Sequence, residues 1–389
     1  MRGNSVTPLE PTRVLHVVGA MDRAGTETMI MNLYRSFDRE RYQFDFLVHE
    51  ERACDYDGEI EQLGGRLYRL PRFNGINARS YRRAARALLA EHPEWAIVHG
   101  HIGSSAALYL REARRLGRKT VAHSHAQHFP LSAGEMAFRV VSYPTRFIAD
   151  EFLACSQVAG LDRFGRGVVA GPHFHALKNG IAVERYACDA AAHGEAKRRL
   201  GLGVGPIIGH VGRLTEVKNH DFLLEVFGLL LQREPGARLV LVGRGEREDE
   251  LRSLVAERGL ADAVVFYGVT DDVASVLKGM DGFVFPSHRE GLSVALVEAQ
   301  ASGVPCLMST GVPPEALIGS SSLRLPLDAG AARWTEALLG LLATEDRRVE
   351  GALHVREAGF DIEESSRWLM GFYDDLLGRV APRYSGASC

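Results

Sequence analysis

Cysteine is scarce and scattered in this chain of 389 residues. Cys54, Cys155, Cys188, Cys306 and Cys389 include no C-x-x-C pair. An odd number at such wide spacing argues against a disulfide framework and against a cysteine-based zinc site. Cys389 is the last residue rather than the fourth from the end, so it does not fit a prenylation signal. No apolar run reaches the roughly 18–20 residues that a bilayer-spanning helix requires. The opening residues, MRGNSVTPLEPTR, lack the apolar core of a secretory signal. Residues 1–12 are expected to form a disordered lead and 381–389 a flexible tail, with the cytoplasm as the natural compartment. A net charge of −3 is too small to suggest nucleic acid. The first strand is followed by GAMDRAG and not by G-x-G-x-x-G, which speaks against a dinucleotide oxidoreductase.

The length that remains exceeds what one hydrophobic core serves, so two domains are expected. Apolar strands alternate with helical patterns from Arg13 to Cys155, the sign of a doubly wound α/β unit. The segment KNGIAVERY, Lys178 to Tyr186, carries an Asn-Gly turn and breaks the pattern, which restarts at Pro206. The expected division is 13–182, 183–361, and a terminal helix 362–380 that returns to the first domain. Charge is divided as well. Residues 1–185 hold 25 Lys and Arg against 20 Asp and Glu, and the rest hold 21 against 29. A basic first half and an acidic second half suggest different partners.

The most informative stretch is FVFPSHREGLSVALVEAQASGVPCL. A strand, Gly282 to Phe285, leads through a polar turn to a helix expected from Leu292 to Ala301. In parallel sheets, ligands bind at the carboxyl ends of strands, where helices begin. Glu290 lies in the turn, and Glu298 follows eight residues later, about two helical turns deeper. Two carboxylates so placed suit hydroxyl groups at two points of an elongated ligand. The N–H groups of Gly291, Leu292 and Ser293, at the helix start, are free to donate. Solvated glutamates on a capped surface helix would show the same spacing. Upstream, IIGHVGRLTEVKNH ends a strand at Val211. Gly212 loosens the backbone, and Arg213 and Lys218 flank a loop before a helix near Asn219. Two cations at a helix start form an anion site suited to a diphosphate. LVLVGRG, Leu239 to Gly245, ends another strand in a glycine turn at Gly243. Gly25, in AMDRAGTET, lets backbone approach a ligand before the first helix, unless Thr26 merely caps it.

Taken in order, these motifs resemble retaining glycosyltransferases of the GT-B fold, family 4, and the resemblance runs from Gly19 to about Val380. It implies an α/β architecture of two facing Rossmann-like domains with the active site in the cleft between them. It implies that Glu290 meets the transferred sugar and Glu298 the ribose, in the manner of the family's E-x7-E segment. Arg213 and Lys218 correspond to the Arg and Lys of G-R-L-x-x-x-K-G, which hold the donor diphosphate; Asn219 stands where that motif has glycine. Gly243 matches the V-G-x-G turn beside the nucleotide, and the backbone at Val269 the contact with the base. The family's G-G-x-E becomes Ala24-Gly25 here. With no metal-binding D-x-D pattern evident, no metal is expected, and the two cations would stand in for a divalent ion at the leaving diphosphate.

The histidines of VHGH, Val98 to His101, and AHSHAQH, Ala122 to His128, admit three readings. They are a metal site, structural histidines, or a site rim at strand ends. No carboxylate lies in these runs, and the resemblance favours the rim, with His125 near the transferred sugar and His123 as runner-up. The S-H context resembles an exopolysaccharide-biosynthesis branch. The expected substrates are a nucleotide sugar, UDP-linked by family frequency, and a saccharide or lipid-linked saccharide acceptor. Arg82, Arg83, Arg86, Arg111, Arg114, Arg115, Arg118 and Lys119 offer a basic surface for anionic lipid headgroups, or simply solvated helix faces. A UDP-sugar epimerase, a transferase with a natural-product acceptor and a non-catalytic nucleotide-sugar-binding scaffold are the alternatives.

Overall fold

The computed structural model describes residues 10–125, 132–344 and 348–379. Expectations for 1–9, His128 and 380–389 therefore lie outside the described residues. The chain forms two compact units, residues 178–365 making the second and the remainder the first.

The first unit holds a seven-stranded sheet: β1 (Thr12–Val17), β2 (Tyr42–Val48), β3 (Leu67–Arg69), β4 (Trp95–Gly100), β5 (Lys119–Ser124), β6 (Glu151–Ala154) and β7 (Phe174–Ala176). Their order is β3-β2-β1-β4-β5-β6-β7, and every pairing is parallel. Parallel sheets are covered on both faces, which is why these strands read as nearly unbroken apolar runs. All seven residues of β2 are buried. Its one charged member, Asp45, accepts hydrogen bonds from Arg13 Nε at 2.7 Å and from Trp95 Nε1 at 2.8 Å. From Ser366 the chain belongs to the first unit. There Tyr373 is fully buried, and Asp374 accepts a hydrogen bond from Tyr42 Oη at 2.9 Å.

The second unit holds six parallel strands: β8 (Ile207–Val211), β9 (Arg238–Val242), β10 (Val264–Gly268), β11 (Gly282–Phe285), β12 (Cys306–Ser309) and β13 (Ser322–Leu325). Their order is β10-β9-β8-β11-β12-β13. One face packs the helix His220–Arg233 and the helix Gly330–Leu342 over a core containing Leu223, Phe227, Leu241, Trp334 and Leu338. In both sheets the strand order reverses beside the first strand, at β1/β4 and at β8/β11. Chains leaving neighbouring strands there diverge to opposite faces and open a crevice at the carboxyl ends.

After β5, a helix at Ala133–Ser142 is followed by a tight 3₁₀ turn at Tyr143–Phe147. Pro144, at the start of that turn, cannot donate an N–H to a continuing α-helix. Among the described residues, no helix is long and apolar enough to cross a membrane.

Candidate functional site

The β8/β11 switch point of the second unit brings together the residues singled out by sequence. After β8 the chain passes Gly212 and the exposed Arg213, buries Leu214, and makes one 3₁₀ turn at Glu216–Lys218. Asn219 then adopts φ 55° and ψ 50°, a left-handed conformation, before the helix His220–Arg233 begins. That backbone explains why glycine is usual at this position and why Asn replaces it at little cost, since Asn tolerates the region better than other side chains. Asn219 Nδ2 also donates to the Pro286 carbonyl at 3.3 Å, and the His288 N–H donates to the Val217 carbonyl at 2.9 Å. The loops after β8 and β11 are thereby stitched together.

Across that seam Lys218 Nζ donates to Glu290 Oε1 at 2.6 Å. Both side chains are only about one-sixth exposed, and the ammonium lies 4.5 Å from the centre of the Phe285 ring. Sequence reading gave these residues separate ligands; the structure pairs them with each other. Arg213 differs, since no carboxylate pairs with it among the described residues. The Glu290 N–H donates to the Gly311 carbonyl at 3.0 Å, fixing the loop from its other side. The helix expected from Leu292 starts at Val294, with Ser293 at its N-cap. Gly291, Leu292 and Ser293 therefore precede it in the loop, and their N–H groups have no acceptor among the described residues.

Glu298 is buried in the second turn of the helix Val294–Ala301, where its Oε1 accepts from the Tyr186 hydroxyl at 2.6 Å. Burial pushes this carboxyl above its ordinary range, while the Tyr186 hydrogen bond and the charge of Arg185 pull the other way. Tyr186 was missed from sequence, as was Asn179, whose buried Nδ2 donates to the Leu292 carbonyl at 2.9 Å. Both lie in KNGIAVERY, which reads as a boundary and carries no recognisable chemical spacing.

Gly243 has φ 132°, and a Cβ there would stand 2.0 Å from the Gly212 carbonyl oxygen. Its N–H donates to the Gly268 carbonyl at 2.8 Å, so the ends of β8, β9 and β10 meet around it. Val269 follows directly and is 45% exposed. The glycine turn is thus required by loop packed on loop. Gly25 contrasts with it: it opens the helix Gly25–Ser36, and a Cβ would meet nothing within 4 Å. The N-cap of that helix is Ala24, not Thr26, and no side chain caps it. Gly243→Ala is expected to destabilise the second unit by at least about 2 kcal/mol through clash and strained φ. Gly25→Ala should stay within about 0.5 kcal/mol of the parent. Denaturant unfolding of both variants checks this, and equal effects would contradict it.

In the first unit His123, on β5, and His125, one residue past it, join a larger group. His125 Nε2 is 2.7 Å from His101 Nδ1, and His123 Nδ1 is 3.1 Å from His99 Nε2. Burial drives all these rings to the neutral form, His125 to a pKa of about 3. His16, on β1, completes the group and was not foreseen, because a lone histidine in an apolar strand looks like any core residue.

Two family models match the chain in succession: Glycosyltransferase Family 4 over residues 23–185 and Glycosyl transferases group 1 over 205–344. EpsF of Bacillus subtilis (strain 168), named as a glycosyltransferase, is 33% identical over 93% of this chain and 96% of its own length. A GDP-mannose-dependent α-(1-6)-phosphatidylinositol monomannoside mannosyltransferase of Mycobacterium tuberculosis is 27% identical over 76% of this chain and 79% of its own. Among solved structures, Anabaena HepE in complex with UDP and glucose matches with a TM-score of 0.76 at 16% identity, covering 94% of this chain and all of that one. The chain thus belongs to the group 1, family 4 glycosyltransferases, enzymes of the GT-B fold that move a sugar out of a nucleotide-sugar donor.

Proposed function

We propose that this enzyme transfers a hexose or N-acetylhexosamine, with retention, from a UDP-sugar to a hydroxyl of a saccharide or lipid-linked saccharide in exopolysaccharide or cell-envelope assembly. The observation that carries the donor assignment is the Lys218–Glu290 pair at the β8/β11 switch point, beside three N–H groups with no acceptor among the described residues. In the resting enzyme each of the pair satisfies the other. A donor exchanges that contact for two of its own: its diphosphate takes Lys218 and Arg213, and a sugar hydroxyl takes Glu290. The N–H groups of Gly291, Leu292 and Ser293 hold oxygens of the same ligand. Glu298 keeps Tyr186 on Oε1 and offers Oε2 to the ribose diol, and the backbone at Val269 borders the base.

In transfer, the bond from the anomeric carbon to the diphosphate oxygen breaks, and a bond to the acceptor oxygen forms on the same face. The acceptor proton passes to the departing phosphate oxygen. Charge grows on the diphosphate as this happens, and Arg213 and Lys218 stabilise it there. The first unit is assigned the acceptor, with His125, and His123 behind it, as candidates for contact with a sugar hydroxyl.

UDP is favoured by the HepE complex, and GDP is the second reading because the mycobacterial relative is named for GDP-mannose. A thermal-shift panel of UDP, GDP and ADP, with their sugar conjugates and with and without EDTA, decides. A ligand at 100 times its Kd stabilises the native state by about 2.7 kcal/mol. A selective shift with UDP, unaltered in size by EDTA, is expected; no shift with any nucleotide would leave a non-catalytic scaffold. In the same assay Glu298→Ala should abolish most of the UDP shift and Tyr186→Phe reduce it. An undiminished shift in Glu298→Ala would remove the ribose role.

Contact with an anionic membrane is the remaining partner proposal, on a smaller surface than sequence suggests. Arg82, Arg86 and Arg115 converge on the buried carboxylate of Glu112, and Arg114 lies 3.7 Å from Asp150. Support comes from exposed apolar side chains on the segment 133–147, namely Met136, Val140, Tyr143 and Phe147. Salt-sensitive cosedimentation with phosphatidylglycerol vesicles, absent with phosphatidylcholine, is the expected result; equal binding to both, or none, would contradict it.

A further inference from the structure

Five histidines of the first unit share one face of its sheet. His16 on β1 is in register with His99 on β4, and the β4/β5 pairing sets His101 beside His123, with His125 two residues on. One ring nitrogen each from His16, His99 and His101 lie within 4.8 Å of one another, as do those from His101, His123 and His125. The cluster sits at the carboxyl ends of the strands around the β1/β4 switch point, where this architecture places ligands.

Counting protons shows that the cluster is incomplete. His16 Nδ1 is 2.9 Å from His101 Nε2, and His101 Nδ1 is 2.7 Å from His125 Nε2. Three neutral imidazoles in series hold three protons for two links. The third proton must sit on an outer nitrogen, His16 Nε2 or His125 Nδ1, and the other outer nitrogen is then a bare lone pair. Both are buried without a hydrogen-bond partner among the described residues. A second series runs from Tyr373 Oη, 2.7 Å from His99 Nδ1, through His99 Nε2, 3.1 Å from His123 Nδ1. It ends at His123 Nε2, which is buried and unpartnered in the same way. A buried polar atom left so is destabilising. Neutral imidazole is the form that ligates metals.

We propose that His101, His123 and His125, all of the first unit, bind one divalent transition-metal ion of the zinc class. The ligand atoms are His101 Nδ1, His125 Nε2 and His123 Nε2. The ion takes up the orphaned lone pair of His123 Nε2, and His16 and His125 carry their protons on Nε2 and Nδ1. His101 Nε2–H donates to His16 Nδ1, His123 Nδ1–H donates to His99 Nε2, and His99 Nδ1–H donates to Tyr373 Oη. Two of the three ligands thus gain the outer hydrogen bond that orients metal-bound imidazoles. Bonds of about 2.0–2.1 Å in tetrahedral geometry put ligand nitrogens about 3.3 Å apart, so the His101–His125 contact opens by about half an ångström. Three nitrogens leave a fourth position for water or an acceptor oxygen. Each H-x-H pair supplies too few ligands alone; only the pairing of β4 with β5 joins them.

The test uses the untagged full chain, stripped with a chelator and titrated with zinc against a chromogenic competitor. One equivalent per chain is expected, and cobalt(II) in its place should show the intense visible absorption of a four-coordinate site. His125→Gln, at the solvent edge of the cluster, should weaken zinc by more than about 100-fold, and Tyr373→Phe by roughly 10-fold. Circular dichroism confirms that each variant folds. Substoichiometric binding in the parent, or equal affinity in a folded His125→Gln, overturns the proposal. Should His125→Gln fail to fold, the parent's cobalt spectrum decides: a six-coordinate spectrum overturns it as well.

Discussion

Arg213→Ala should lower turnover by about 10²–10³-fold, the typical loss when one preorganised donor to a developing anion is removed, and leave stability within about 0.5 kcal/mol. The two parts of that expectation have separate origins. Arg213 is exposed and has no ion-pair partner among the described residues, so folding does not depend on it. Its position, two residues past β8 at the switch point, is where a diphosphate would lie. Lys218→Ala should lower turnover as much, but not as cleanly. It strands the Glu290 carboxylate, which is only 15% exposed, and the unpaired charge costs stability. Glu290→Gln in the Lys218→Ala background removes that charge and should restore the melting temperature without restoring activity. Steady-state kinetics and thermal melts on the parent and these three variants separate the effects. Full activity in both Arg213→Ala and Lys218→Ala would end the phosphate assignment.

What sequence can show depends on whether function rests on local or distant pairings. The loops proposed to hold the donor are legible because β8 with its turn, and β11 with its turn, each carry their polar residues close to the strand end. Arg213, Lys218, Glu290 and Glu298 therefore stand out from sequence alone. The pairing of Lys218 with Glu290 does not, because 72 residues separate them and only the strand order brings them together. Tyr186 is hidden for the same reason: its partner Glu298 lies 112 residues away. Short edge strands such as β3 and β7, three residues each, have too few positions for any periodicity. Local rules also explain one misplaced boundary. The EGLS turn reads as the first turn of a helix because Leu292 continues the apolar spacing. Instead, Leu292 gives its carbonyl to Asn179, and the helix starts two residues later.

The stability of the second unit should fall steeply as pH drops from 7 to 5. His210, on β8, is fully buried, with its ring stacked 5.2 Å from Phe285 and its Nδ1–H donated to the Val284 carbonyl. His220 opens the next helix, its ring centre 4.7 Å from that of His210. Burial lowers both pKa values; for His220, burial together with the charges of Lys218 and Arg247, against the opposing charge of Asp221, brings it to about 4. The sign follows from linkage. In the unfolded chain these rings take a proton near the ordinary value of 6.5, whereas the folded unit does so only at lower pH. Below 6.5 the unfolded state therefore binds more protons, and stability falls with pH until about pH 4, where folded His220 also becomes charged. Each ring contributes about 1.4 kcal/mol per pH unit in that window, so the two together remove roughly 4 kcal/mol between pH 7 and pH 5. Carboxylates titrate mostly below this range. Hydrogen exchange of peptides covering β8 and β11, corrected for the intrinsic pH dependence of exchange, reads the second unit alone. His220→Gln carries no titrating proton and should halve the pH dependence at those peptides. A protection profile that is flat from pH 7 to pH 5, or one that His220→Gln leaves unchanged, would show that these imidazoles are already charged in the folded enzyme.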